Sequence, residues 1–136
     1  LDTAVNNLIN KGIVVVVAAG NEKIDACKKS PARVPNAITV AASDVSDNFA
    51  YFSNFGTCVD VIAPGVNITS DSNKSDVGTA VMSGTSMASP HVAGAVARYL
   101  SVGLNSGALL ANSTLGSIKN TPSGTVNKLL YLDPSK

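Results

Sequence analysis

Charge is scarce in this chain of 136 residues, of which 14% are charged, with a net charge of +1. Such a balance lacks the positive potential by which proteins attract nucleic acids or anionic membranes. No apolar run approaches the roughly 20 residues of a membrane-spanning helix. There is also no internal repeat and no low-complexity linker. We therefore expect neither a nucleic-acid partner nor a membrane partner.

The segment 1–12, L-D-T-A-V-N-N-L-I-N-K-G, lacks the features of a secretion signal. It contains neither a basic region nor an apolar core, and it lacks an initiator methionine. Its apolar residues Ala4, Val5, Leu8 and Ile9 instead share one face of a helix. We expect this segment to be the end of an amphipathic helix, so that the chain begins inside a fold.

Histidine and cysteine are rare as well, with one His and two Cys in the whole chain. Two cysteines without a nearby histidine are too few for a structural zinc site. Cys27 and Cys58 therefore either form a disulfide or are two buried free thiols. His91 is the one histidine that could act as the base of a serine nucleophile.

Apolar residues make up 45% of the sequence, which is ample for a packed core. The segment 12–21, G-I-V-V-V-V-A-A-G-N, holds an unbroken β-branched run, as in a parallel strand that is buried on both faces. Strands that alternate with helices then predict an α/β fold. The further predicted elements are strands at 37–42, 58–63 and 127–132, helices at 88–100 and 106–117, and a polar surface loop at 67–79.

A serine lies at the start of the first of these helices. The segment 83–94, S-G-T-S-M-A-S-P-H-V-A-G, places Ser86 among small residues. The helix is small and apolar almost all round, which predicts burial, and Pro90 is expected in its first turn. Free N–H groups and the dipole at a helix N-terminus favour negative charge, so an oxyanion could form beside Ser86. Alternatively, Thr85, Ser86 or Ser89 is only the helix N-cap.

These segments resemble the subtilisin-like serine proteases, most strongly the proteinase K and aqualysin type. G-T-S-M-A-S-P-H-V-A-G is similar to the nucleophile motif of that family. Four more blocks resemble family segments, in the family's order: V-V-A-A-G-N, S-P-A-R-V-P-N-A-I-T-V-A-A-S-D, F-S-N-F-G-T-C-V-D-V-I-A-P-G and V-N-K-L-L-Y. The resemblance implies part of a parallel-sheet sandwich with helices on both faces. Residues 1–136 would be the C-terminal portion of one peptidase domain, with the N-terminal half outside the chain.

The resemblance implies a serine endopeptidase whose triad runs Asp, His, Ser along the chain. His91 follows Ser86 within the nucleophile motif, so it is not the catalytic histidine. Five helical residues at about 100° each also place His91 roughly 140° around the helix from Ser86. We therefore expect His91 to pack or to form a hydrogen bond. The catalytic Asp and His would lie upstream, and the chain alone would be inactive.

The resemblance implies that Ser86 is the nucleophile, with its own N–H and the side-chain amide of Asn21 in the oxyanion hole. Asn21 follows a buried strand, at the sheet edge where sites collect in parallel sheets. Alternatively, it is a turn residue in the left-handed region. The implied partners are polypeptide substrates, the N-terminal half of the same domain, and a propeptide or protein inhibitor. The implied substrate-binding residues are Ala18, Ala19, Gly20 and Thr85.

The resemblance implies no cofactor for catalysis but a structural calcium site. Its ligands would be the backbone carbonyls of Pro35 and Ala37 and the carboxylate of Asp60, since oxygen ligands suit a hard cation. Aqualysin-like relatives also have a disulfide at the positions of Cys27 and Cys58. Because a disulfide indicates an oxidising destination, we expect the protein to be secreted, with the vacuole as the alternative.

Two other functions remain open at the level of sequence. An α/β-hydrolase esterase would also use a serine nucleophile, but its turn requires G-x-S-x-G and this chain has G-T-S-M-A. The chain could also be a non-catalytic fragment that acts as an antigen, an allergen or a binding piece. The upstream sequence would separate a protease from the esterase.

Overall fold

The computed structural model describes residues 1–136. Its helices are α1 (Asp2–Asn10), α2 (Thr85–Ser101) and α3 (Ser106–Ala111), with a 3₁₀ turn at Ala26–Lys28. Its strands are β1 (Val16–Ala18), β2 (Ile38–Ser43), β3 (Val61–Pro64), β4 (Ile68–Asp71), β5 (Thr79–Met82), β6 (Thr114–Leu115) and β7 (Lys128–Leu129). None of the helices has the length and apolarity needed to cross a bilayer.

Five strands form the central sheet, in the order β1-β2-β3-β7-β6. The strands β1, β2, β3 and β7 run parallel, and β6 pairs with β7 in the antiparallel direction. All six residues of β2 are buried, as expected for a strand in the middle of a sheet that is covered on both faces. The prediction of an α/β fold built on parallel strands is confirmed.

Helices cover both faces of this sheet. Alternate residues of β2, Val40 and Ala42, share the larger core cluster with Tyr99 of α2. On the opposite face, Val5 of α1 packs in a small cluster with Val17 of β1. Side chains two apart in a strand point to the same face, so Ala41 of β2 faces away from Val40 and Ala42 and packs with Ile62 of β3 in a further cluster. The carboxyl ends of β1 and β3 then lie at the edge of the sheet where α2 begins.

Three of the four predicted strands are shorter in the structure, whereas β2 has the six residues predicted for 37–42, shifted by one position. The segment 12–21 contributes only β1, because β2 begins at Ile38 opposite Val16 and its first N–H reaches back no further than the carbonyl of Val15. β3 begins three residues after the start of the predicted strand 58–63, and β7 is two residues of the predicted 127–132. The apolar residues of these segments thus predict which parts of the chain are buried, whereas the ends of each strand depend on the position of the neighbouring strand.

The prediction of a polar loop over 67–79 was wrong. These residues contain β4, the whole connection to β5 and the first residue of β5, and the two strands form an antiparallel hairpin from Ile68 opposite Met82 to Asp71 opposite Thr79. The hairpin lies on the surface, with nearly all of its residues exposed. Since neither of its faces is buried, its sequence lacks the apolar alternation that marks a strand.

The helix α2 begins three residues earlier than predicted and is buried on one face only. Its outer face carries small and apolar residues that remain exposed, including Ala93, Ala97 and Leu100. Pro90 is the sixth residue of the helix rather than a residue of its first turn. Because proline has no N–H, the carbonyl of Ser86 receives no helical hydrogen bond from it.

The second predicted helix, 106–117, was wrong after Ala111. There α3 ends, and Thr114–Leu115 leave the helical path to pair with β7 as the strand β6. Four of the five residues that follow the helix are Asn, Ser, Thr and Gly, which are unfavourable in helix interiors.

We predict that this chain in isolation binds a hydrophobic dye and aggregates. β1 is an edge strand, and an apolar groove lies between α2 and the segment that leads into β1, lined by Ile13, Val14, Ala97 and Leu100 among others. An open strand edge and an apolar face both promote association. Dye fluorescence and light scattering measure this, and Ala97→Glu should reduce both signals. A sharp cooperative melt from a monomer that binds no dye would contradict the prediction.

Candidate active site

The N-terminus of α2 carries Ser86 in its first turn. Gly84 occupies the N-cap position and has no side chain to cap the helix. Neither Thr85, Ser86 nor Ser89 is therefore the N-cap, and that alternative is wrong. The first N–H groups of a helix have no partner within it, so they must be satisfied from elsewhere.

The side chain of Asn21, in the loop after β1, caps the N-terminus of α2. The N–H of Thr85 donates to Asn21 Oδ1 at 2.8 Å, and the Thr85 hydroxyl donates to the same oxygen at 2.9 Å. The Thr85 hydroxyl in turn accepts the N–H of Gly20 at 3.0 Å. Thr85 is fully buried, with 0% of its surface exposed. These three bonds join the loop after β1 to the start of α2, 64 residues further along the chain.

The bonds to Thr85 also fix the direction of the Asn21 amide. A backbone N–H can only donate, so the amide oxygen must face Thr85 and the NH₂ group must face away. The Asn21 side chain is exposed, and its Nδ2 has no acceptor within the chain. A Cβ atom at Gly84 would lie 3.4 Å from this nitrogen, so the glycine there leaves the NH₂ group uncrowded.

The backbone N–H of Ser86 is the second free donor at this place. The Thr85 N–H bonds to Asn21 at 2.8 Å, and the Met87 N–H donates to the carbonyl of Gly84 at 3.0 Å. No acceptor is bonded to the N–H of Ser86 between them. Ser86 is exposed, and its side chain forms no hydrogen bond within the chain. A hydroxyl, a free N–H and the positive end of a helix dipole therefore coincide at Ser86.

His91 forms a hydrogen bond within its own helix, which is one of the two roles that the sequence predicted for it, packing being the other. Its Nδ1 lies 2.8 Å from the carbonyl oxygen of Met87. Because a carbonyl can only accept, Nδ1 is the donor of this hydrogen bond. His91 is exposed rather than packed in the core. No hydrogen bond joins it to Ser86.

An open cavity of about 420 Å³ lies beside Ser86. The β4–β5 hairpin forms one side of it, and the first two turns of α2 form the other. Ser86 and His91 both line it, although the helical angle between them predicted opposite faces. The lining residues are Ile68, Thr69, Ser70, Asp71, Met82, Ser86, Met87, Pro90 and His91.

The expected wall of a substrate pocket at Ala18, Ala19 and Gly20 is only partly available. Ala18 and Gly20 are half-buried at the end of β1. The side chain of Ala19 is fully buried and belongs to the core cluster that contains Ala41. Ala19 is 0% exposed, its N–H donates to the carbonyl of Val40, and its carbonyl accepts from Asn54 Nδ2, so it has no group free for a ligand.

Asn54 lies behind the loop that carries Asn21 and was not singled out from the sequence. It is fully buried, and its side chain bonds only to residues of the segment 19–24. The sequence contains one indication of this role. Asn54 stands close to two phenylalanines in F-S-N-F-G, so it could be expected to be buried, and a buried amide needs several hydrogen-bond partners.

Asp60 has a half-buried carboxylate and lies directly before β3. Its Oδ2 accepts the N–H of Thr39 at 2.8 Å. Burial raises the pKa of the Asp60 carboxyl, although the Thr39 N–H and the charge of Lys128 act in the opposite direction. The carbonyl oxygens of Pro35 and Ala37 accept no hydrogen bond. All three residues therefore have oxygen atoms without a proton donor.

Cys27 and Cys58 form a disulfide, with their Cα atoms 5.3 Å apart. It links the loop after Asn21 to the segment before β3. The N–H of Ala26 also donates to the carbonyl of Phe55 at 2.8 Å, so the same two segments are joined through the backbone. The prediction that the two cysteines pair is confirmed.

Residues 1–128 match the sequence profile of the subtilase family. This chain belongs to the subtilase family. The match covers nearly all of its 136 residues, including β1, β2, β3 and the whole of α2.

Known subtilases agree with this assignment. The chain is 59% identical over 102 residues to a subtilisin-like serine protease of Rhodotorula mucilaginosa, covering 75% of this chain and 30% of that protein. It is 50% identical over 137 residues to an extracellular serine proteinase of a Thermus species, covering 96% of this chain and 33% of that protein. The crystal structure of a cold-adapted subtilisin-like serine proteinase matches with a TM-score of 0.91 and 43% identity, over 97% of this chain and 50% of that one. The chain thus spans about a third of these curated relatives and half of the crystallised protein.

We predict that thiol titration of this subtilase chain, denatured without reduction, finds no free cysteine. The Cys27–Cys58 bond closes a loop of 31 residues, for which the chain-entropy model gives a stabilisation of about 3 to 4 kcal/mol. Titration after reduction is the control and should yield two thiols per chain. Two reactive thiols before reduction would contradict the disulfide.

Proposed function

We propose that Ser86 is the nucleophile of a serine endopeptidase and that Asn21 supplies a donor to its oxyanion hole. The single observation that supports this most is the fixed amide of Asn21, whose oxygen is held by Thr85 and whose Nδ2 is free. A preorganised donor stabilises developing charge without having to reorient during the reaction. Subtilase relatives named as serine proteases support the same reaction class.

In the proposed reaction, Ser86 Oγ attacks the carbonyl carbon of a peptide bond as a base takes its proton. The negative oxygen of the tetrahedral intermediate accepts hydrogen bonds from Asn21 Nδ2 and from the N–H of Ser86. Collapse breaks the C–N bond, the leaving amine takes the proton, and an acyl ester remains on Ser86. Water then attacks the ester by the same route and releases the acid.

We propose that the base and its carboxylate partner come from outside these 136 residues. His91 is the one histidine of the chain, and its Nδ1 is bonded to the Met87 carbonyl rather than to a carboxylate. A catalytic histidine needs an acidic or polar group on one nitrogen and the nucleophile on the other. Residues 1–136 would then be one portion of a single peptidase domain, with the rest of that domain as their partner.

The proposed substrates are polypeptides, and the half-buried residues Ala18 and Gly20 border the proposed pocket for the side chain on the acyl side. Thr85 contributes by holding Asn21 rather than by contact with substrate. A propeptide or protein inhibitor would occupy the same surface. We also propose that the protein is secreted, because it has a disulfide and because a relative is named as extracellular.

The same proposal includes a structural calcium ion held by the carbonyls of Pro35 and Ala37 and by Asp60. Their chemistry fits a hard cation, because all three offer oxygen and none of these carbonyls is already hydrogen-bonded. The ion would tie the segment before β2 to the start of β3. It takes no part in the chemical step.

We predict that Asn21→Asp lowers kcat of the complete protease by about a hundred- to a thousandfold or more, the usual loss when one oxyanion donor is removed. The aspartate retains an oxygen for both bonds from Thr85 but has no NH₂ group, and its charge opposes the oxyanion. Hydrolysis of a chromogenic peptide anilide measures the effect. His91→Ala is the matched control and should retain activity. An Asn21→Asp enzyme with wild-type kcat would contradict the role of Asn21.

The same assay tests where the base lies. The chain of 136 residues alone should hydrolyse the anilide no faster than its Ser86→Ala variant, while the complete protease should lose its activity in Ser86→Ala. Robust turnover by the chain alone, abolished by both Ser86→Ala and His91→Ala, would show that His91 is the base.

We predict that removal of calcium from the complete protease lowers its thermal midpoint and that Asp60→Asn abolishes this response. A ligand at a hundred times its Kd stabilises the folded state by about 2.7 kcal/mol. Calorimetry with calcium and with a chelator measures the shift, and Asp44→Asn provides a control at a carboxylate outside the proposed site. An unchanged calcium response in Asp60→Asn would rule out this site.

A further inference from the structure

We propose that Asn54 is a positioning residue for the reaction, which holds the backbone on both sides of Asn21 and thereby places the oxyanion donor. This inference rests on the proposed function of Ser86 and Asn21. Asn54 lies 33 residues after Asn21 in sequence and makes no contact with a reacting atom, so it would act only through the loop.

The bonds of Asn54 enclose Asn21 from both sides along the chain. Before Asn21, Asn54 Nδ2 donates to the carbonyl of Ala19 at 2.9 Å, and the Asn54 N–H donates to the carbonyl of Gly20 at 2.9 Å. After Asn21, the N–H groups of Glu22 and Ile24 both donate to Asn54 Oδ1 at 3.0 Å. Asn21 is thus the one residue between two fixed peptide groups.

An amide is the side chain that this place requires. Asn54 is 0% exposed, and both its oxygen and its nitrogen are fully used. Oδ1 accepts two bonds, while Nδ2 donates to Ala19 and, at 2.8 Å, to the carboxylate of Glu22. An aspartate could accept but not donate, and a leucine could do neither. Either replacement would leave buried polar groups of the loop without partners.

Gly20 shows that the loop is shaped to receive this amide. Gly20 has φ of +105°, and a Cβ atom there would collide with Asn54 Nδ2 and lie 2.7 Å from Glu22 Oε2. Any other residue at position 20 would therefore displace Asn54. Glu22 is held in turn by Lys29, whose Nζ lies 2.8 Å from its Oε1. Hydrogen bonds from Lys29 and then Asn54 keep the pKa of Glu22 below its usual value, so its carboxylate is ionised and accepts.

Asn54 and Thr85 therefore hold Asn21 in complementary ways. Thr85 fixes the side-chain oxygen of Asn21, whereas Asn54 fixes the backbone from which that side chain extends. A shift of the backbone would carry Nδ2 away from the oxyanion even with both Thr85 bonds present. Misplacement of a donor by about 1 Å is enough to lower a catalysed rate strongly.

The test is Asn54→Asp in the complete protease, with active sites counted by a serine-directed covalent inhibitor. We expect kcat per active site to fall by about 10- to 100-fold, which is a smaller loss than that expected for Asn21→Asp. KM should stay within about twofold of wild type. The aspartate keeps both acceptor bonds, loses the bond to Ala19 and faces the Glu22 carboxylate. Glu22→Gln combined with Asn54→Asp restores a donor between these two side chains and should recover part of kcat.

Asn127→Asp is the matched control. Asn127 also clamps backbone, since its Oδ1 accepts the N–H of Ile118 at 3.1 Å and its Nδ2 donates to the carbonyl of Ile118 at 2.7 Å. It lies directly before β7, and its side chain forms no hydrogen bond to the loop of Asn21. We expect its kcat to stay near wild type even where its stability falls. If Asn54→Asp fails to fold, Asn54→Ser takes its place with the same expectation.

The outcomes separate this inference from the proposed function. Wild-type kcat in the Asn54 variants, or an equal loss in Asn127→Asp, would overturn the positioning role while Ser86→Ala still abolished activity. A complete protein whose activity did not depend on Ser86 would instead overturn the proposed function. A rise in KM with unchanged kcat would also overturn the positioning role, because it would indicate a substrate contact.

Discussion

The bond between Asn21 and Thr85 is the constraint on which the site depends. One amide oxygen satisfies the first free N–H of α2 and the hydroxyl of Thr85, and it thereby joins the end of β1 to the start of the helix. A helix N-terminus left without a partner would be costly in the interior. Because the oxygen is committed, the NH₂ group points away with no acceptor of its own. Structural need and the proposed catalytic role thus require the same orientation of one side chain.

Much of the fold follows from the sequence. The β-branched runs and the small, apolar helix predict buried parallel strands and a packed α2, and the α/β architecture follows from their alternation. The ends of these elements do not follow, since β1 starts only where Ile38 provides a partner for Val16. The hairpin over Ile68–Met82 could not be predicted for another reason. Both of its strands are exposed, so their sequences show no alternation of apolar and polar residues.

The site is predictable in part. Ser86, Asn21 and the Cys27–Cys58 pair are suggested by family-like segments of the sequence. The bridging hydroxyl of Thr85 and the buried amide of Asn54 depend on contacts between segments 64 and about 32 residues apart, which no local pattern contains. The family resemblance also implied that Ala19 binds substrate, whereas in the structure this residue is fully buried in the core.

The most direct test is a crystal structure of the complete protease with a peptide aldehyde or boronate bound to Ser86. We predict that the tetrahedral adduct places its oxygen about 2.7 to 3.1 Å from both Asn21 Nδ2 and the N–H nitrogen of Ser86. Asn21 Oδ1 should still accept both bonds from Thr85. An adduct oxygen that faces solvent, or an Asn21 amide turned away from Thr85, would contradict the proposed oxyanion hole.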